Sequence, residues 1–170
     1  MKMFLAVLCL LIVPMQMQWA GVIEVGAIRP DLPGAVVYVT GLALGPWVGG
    51  VAGALVGLLM DRFSAGSVGP QLAAKLFIGA AGGLLTHRLR LTKPSAHAGI
   101  ALLLFTVQGS WMTWVLWWRT GRGWSELYLT ALPEACYTAL IIMCGLWLAQ
   151  PWWRPAGDRA TDRLVVSLDR

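Results

Sequence analysis

Charge is missing from three long windows of this 170-residue chain. Met3 to Ile23 carries none, Ala96 to Trp118 carries none apart from His97, and Leu127 to Trp153 carries only Glu134. A helix rises about 1.5 Å per residue, so about 20 apolar residues cross a hydrocarbon core about 30 Å thick. Hydrophobic residues make up 58% of the chain and charged residues 12%, roughly half the charged share of an ordinary soluble domain. These windows exclude a soluble globular fold, a disordered tail and a collagen-like rod. They predict an all-α integral membrane protein.

Punctuation by Pro, Gly and charge divides the chain into six spans. The first covers Met3 to Ile23; no small-x-small cleavage site follows it, so it reads as an uncleaved helix rather than a secretory signal. The polar turn Arg29-Pro30-Asp31-Leu32-Pro33 opens the second, Leu32 to Leu44. Gly45-Pro46 ends it and starts the third, Pro46 to Met60, with proline suited to a first helical turn. A Gly- and Ser-rich loop, Asp61 to Gly69, leads to the fourth span, Pro70 to Leu85. The fifth is Ala96 to Trp118 and the sixth Tyr128 to Leu148. Residues 1–153 thus form one six-span domain and residues 154–170 a short tail.

Basic residues orient the spans. Lys2, Arg88, Arg90, Lys93, Arg154, Arg159, Arg163 and Arg170 fall on one side, and Arg29, Arg62, Arg119 and Arg122 on the other. Both termini are therefore expected in the cytoplasm. Trp111, Trp114, Trp117 and Trp118 near the outer end of span five, with Trp147, Trp152 and Trp153 near the inner end of span six, suit the headgroup level. The net charge of +5 is spread over connections between spans and does not point to nucleic acid. Cys9, Cys136 and Cys144 lie inside apolar windows and read as small hydrophobes without redox or metal roles.

Gly41, Gly45, Gly49, Gly53 and Gly57 recur at four-residue spacing, so Gly49, Gly53 and Gly57 share one face of span three, and Gly79 and Gly83 repeat the spacing on span four. Small faces let helix backbones approach closely in lipid. The ladder serves either internal packing or the docking of another protein's helix.

Ionisable residues within spans are costly, and so informative. Lys75 lies in span four, Glu134 in the first third of span six behind Pro133, and Asp61 at the end of span three, all toward the outer side. Lys75 and Glu134 are the expected ion pair, alone or with Asp61, beneath a loop bearing Arg29, Asp31 and Arg62. The alternative is separate roles, with Lys75 snorkelling and Glu134 capping its helix. The functional expectation is an outward polar cavity or a polar docking seam. His87 and His97 sit in or beside a basic inner loop and read as solvated, not as zinc ligands. No phosphate loop, nucleophile elbow, H-E-x-x-H or paired-aspartate motif occurs, so neither an enzyme nor a cofactor is expected.

Four features in order carry a family resemblance. Arg29-Pro30-Asp31 precedes Val36-Val37-Tyr38-Val39; the glycine-rich span ends in Leu58-Leu59-Met60-Asp61; the Ser64-Ala65-Gly66-Ser67-Val68-Gly69 loop follows; then comes Leu72-Ala73-Ala74-Lys75. In these features the chain resembles the MreD family, membrane subunits of the bacterial cell-elongation, or rod-shape, machinery. Leu132-Pro133 is similar to the family's opening of the last span, whereas Glu134, Cys136, Tyr137 and Thr138 occupy the stretch where the family often has an asparagine. The resemblance implies a six-helix bundle like the S-components of ECF transporters, in the bacterial inner membrane. It implies a non-catalytic scaffold in peptidoglycan synthesis and cell shape, working with a bitopic MreC, an MreB filament and the RodA–PBP2 synthase pair. Arg29, Pro30, Asp31, Asp61, Gly66, Gly69 and Lys75 match the family's motif positions.

The alternative is the substrate-binding S-component of a small-molecule importer. The connection Glu24 to Asp31 is short and lacks an aromatic residue, and the small-residue face is on span three rather than span one. Both points favour the scaffold.

Overall fold

A computed structural model describes residues 11–16, 18, 24, 28–63, 69–89, 94–121 and 124–149. Among them every regular element is an α-helix: α1 over 11–16, α2 Leu32–Leu44, α3 Pro46–Phe63, α4 Pro70–Leu89, α5 Pro94–Thr120 and α6 Trp124–Ala149. The second to fifth expected segments are helical, as α2 to α5, the last three running a few residues further, but among the described residues only α5 and part of α6 have the length and apolarity expected of a span. The ends of the first span, the loop containing Gly66, Cys9, Trp152, Trp153 and the tail lie outside the described residues.

Local chemistry sets these limits. Asp31 caps α2 by accepting the Gly34 amide at 2.9 Å, with a proline in the first turn. The helix stops at Gly45, whose φ of 95° suits glycine and whose N–H returns to the Gly41 carbonyl at 2.9 Å. The start of α6 differs from expectation. Pro133 is internal to a helix that begins at Trp124, so Glu134 lies well inside it and cannot cap it.

The chain runs up and down. α2, α3 and α4 pack on one another, α5 pairs with α6, and this pair contacts the first group through α4 and α2. The glycine ladder makes the first group tight. A Cβ on Gly53 would overlap the Lys75 carbonyl, one on Gly57 the Gln71 carbonyl, and one on Gly49 the Gly41 Cα and Gly79 carbonyl. Gly79 and Gly83 answer from α4, meeting the carbonyls of Gly49 and Gly41. The ladder is therefore spent inside the bundle, and the docking alternative for this face is corrected. No side chain could fit between backbones this close.

The core between the groups contains Val37, Tyr38, Val56, Ile78, Leu104, Phe105 and Ile142. Apolar residues are also abundant outside. Trp47, Val51, Leu55 and Leu58 form an exposed stripe on α3 opposite its glycines, and Leu103, Val107, Trp114, Leu140, Trp147 and Leu148 are exposed on α5 and α6. α5 and residues Leu129–Ala149 of α6 are long and apolar enough to cross a membrane; Leu32–Leu44 and Pro70–Leu85 are apolar but shorter.

Candidate functional site

Several polar side chains of the apolar helices converge at one end of the bundle. There the start of α2, the end of α3, the start of α4, the second half of α5 and the first half of α6 surround a cavity of about 450 Å³. Arg29, Pro30, Asp31, Asp61, Lys75 and Glu134 all line it. The structure thus gathers into one vestibule residues that are more than a hundred positions apart.

Its floor is an ion pair. Lys75 has no exposed surface, and its ammonium donates to Asp31 Oδ2 and, at 3.0 Å, to the Gln108 carbonyl oxygen. Gln108 Nε2 also donates to Asp31 Oδ2, at 2.7 Å. The remaining Asp31 oxygen caps α2, while the Asp31 N–H donates to Thr138 Oγ1 at 2.9 Å. One aspartate therefore ties α2 to α4, α5 and α6. The expected partner of Lys75 was Glu134; the ion pair is with Asp31 instead. Nor does Lys75 snorkel, since its whole side chain is enclosed.

Helix lengths explain the change of partner. α2 has only 13 residues, about 20 Å, against about 40 Å for the 27 residues of α5. It starts level with Gln108 near the middle of α5 and Thr138 near the middle of α6. Asp31 is thereby carried down into the bundle rather than left in a surface loop, and the space above α2 remains open as the vestibule.

Asp61 does something different. Gly69 is the residue before α4, has φ of 136° and offers no capping side chain. The buried Asp61 carboxylate substitutes for it, accepting the N–H groups of Gly69, Gln71 and Leu72 at 2.8, 3.0 and 3.1 Å. It holds the end of α3 against the start of α4 and stays out of the Lys75 network. Arg29 is exposed at the rim and bonds Glu24 at 2.8 Å, while the buried Pro30 accepts from Gln16 Nε2 at 3.1 Å. Glu134, half-buried on the α6 wall, joins no ion pair among the described residues.

One further expectation is corrected. His97 is buried in the first turns of α5, where its Nδ1 lies 3.2 Å from the hydroxyl of the fully buried Tyr38, so it is not solvated. Cys136 and Cys144 are exposed on the apolar surface of α6. Trp111, Trp114 and Trp118 form a tilted ladder on the exterior of α5, with centroids 5.4 and 6.4 Å apart, and Trp111 also reaches the Pro70 carbonyl at 3.3 Å. Sequence reasoning missed Gln108 and Thr138. Gln108 had a visible signal, as the one carboxamide between Ala96 and Trp118; Thr138 had none.

No group of three or more His, Cys, Asp or Glu residues among those described could hold a metal. The vestibule instead combines a neutralised floor, apolar walls and a separate carboxylate. This arrangement can receive a polar group. No protein-family model, curated protein or solved structure matches the chain.

Proposed function

We propose that this protein is a multi-pass membrane scaffold of the bacterial cell-elongation complex, resembling MreD, with six spans and both termini in the cytoplasm. One observation carries the reading: the separated positions on which the resemblance rests acquire interlocking roles around one vestibule. Arg29-Pro30-Asp31 leads into α2 and supplies the floor acid, Lys75 its counter-charge, and Asp61 with Gly69 the junction between α3 and α4. Such a brace suits a rigid platform for partner helices. The exposed apolar stripes on α3, α5 and α6 suit lipid and partner contact.

The partners on this reading are an MreC-like bitopic protein and, through it, an MreB-type filament and a RodA–PBP2-type synthase. Depletion in the native host should turn rods into rounded cells, and the purified chain should retain the MreC-like protein. Unchanged rods with no such protein retained would remove the assignment.

A second reading has its own support. A volume of about 450 Å³ is within the range of small-molecule pockets, as a substrate-binding S-component requires. Co-purification with transport ATPases instead of an MreC-like protein would favour it.

A further inference from the structure

We propose that the vestibule is a binding site for a basic group, an ammonium or guanidinium on a slender aliphatic stem, received by Glu134. The inference needs only the vestibule and is independent of which complex the protein serves.

The floor rejects an anion. Lys75 is enclosed, and its ammonium is already committed to Asp31 and Gln108. At the rim Arg29 is engaged by Glu24. Arg119 lines the mouth from the last turn of α5, where a cation also suits the helix C-terminus.

What remains in the wall is capacity to accept. Glu134 presents a carboxylate with no ion pair among the described residues. Among the described residues Gln16 Oε1 and Gln71 Oε1 find no hydrogen-bond partner, and both residues line the same cavity. The orientation of the Gln16 amide follows from its Nε2, which donates to the Pro30 carbonyl. A carboxylate held partly out of water is costly, and so are unfilled acceptors in the lining of the same cavity. A guest bearing several N–H donors and a positive charge relieves it through charge-assisted hydrogen bonds.

The walls fix the rest of the guest. Met60, Met112, Val115, Leu116 and Ala131 line the cavity around the polar groups. They would pack against methylene groups and exclude water from the ion pair. A lysine or arginine side chain of a partner helix and a free alkylamine share this chemistry.

The test uses the full chain in phosphatidylcholine nanodiscs, titrated with butylammonium or agmatine while thermal unfolding is followed. A ligand that binds only the folded state raises the midpoint in proportion to its occupancy. A saturable rise of a few degrees is expected for the native chain, reduced in Glu134→Asp and lost in Glu134→Gln. Equimolar 1-butanol and sodium chloride should give no rise, and these controls need no variant. A co-reconstituted transmembrane peptide with one lysine, compared with its leucine twin, separates the sources. Selective binding of the lysine peptide without an amine effect assigns a partner helix, and the reverse assigns a free amine. Binding of neither, an equal rise with butanol, or an undiminished rise in Glu134→Gln overturns the proposal.

Discussion

Asp31 and Lys75 meet as a closed ion pair at the point where the short helix α2 begins against the middle of α5 and α6. Removing one member of a buried pair leaves the other charged in a poor solvent, at about 3–5 kcal/mol, whereas removing both can be nearly neutral. Lys75→Met and Asp31→Asn should each lower stability by that order. The double variant should recover much of the loss, although Asp31→Asn retains part of the α2 cap. A double-mutant cycle on unfolding midpoints gives the coupling. The same cycle for Lys75 and Glu134 should give a much smaller value, and a larger one would return the ion pair to Glu134.

The glycine ladder gives a prediction with internal controls. Gly53→Ala places a methyl group against the Lys75 carbonyl, which is backbone and cannot swing away. α3 and α4 must then separate, at a cost of about 1–3 kcal/mol, as for other overpacked sites. Gly99 and Gly145 are helical too, but a Cβ there meets nothing within 4 Å among the described residues. Gly99→Ala and Gly145→Ala should be neutral or stabilising by about 0.5–1 kcal/mol through helix propensity. Similar midpoints for all three variants would show that the close approach is not needed.

The limits of α2 were legible because its signals are local: Asp31 as cap, Pro33 in the first turn and Gly45 beyond the end. The ladder was legible as a helix contact because four-residue spacing fixes a face, but which neighbour it meets is a tertiary fact. Glu134 was misplaced for a local reason. Pro133 resembles a first-turn residue, yet an apolar helix tolerates an internal proline when its neighbours compensate. The partner of Lys75 was hidden for another reason. Arg29-Pro30-Asp31 reads as a surface turn, and only the shortness of α2 relative to α5 lowers Asp31 to the level of Gln108.

Asp61 should behave as a structural cap, not as part of the vestibule's recognition chemistry. Asp61→Ala strands three N–H groups at the start of α4 and should cost about 2 kcal/mol, near the upper end for a lost cap. Asp61→Asn keeps an accepting oxygen and should lose less. Titration of each stable variant with butylammonium should give the native response. A selective loss of that response without loss of stability would move Asp61 into the binding site.

The vestibule's use depends on which compartment it faces, and the helix alternation makes that one question. Asp31, Asp61, Gly69 and Glu134 share one end of the bundle, while the connection after α4 belongs to the other. Arg88, Arg90 and Lys93 surround that connection, and with the basic tail they predict that it is cytoplasmic and that the vestibule faces outward. Alkaline phosphatase and green fluorescent protein fused after residues 90 and 122 read the two ends separately. Fluorescence should follow the fusion after residue 90, and phosphatase activity the fusion after residue 122. The reverse would turn the vestibule toward the cytoplasm and make its basic guest an intracellular one. The same side for both would mean that α5 does not cross the membrane, and the six-span architecture would fall with it.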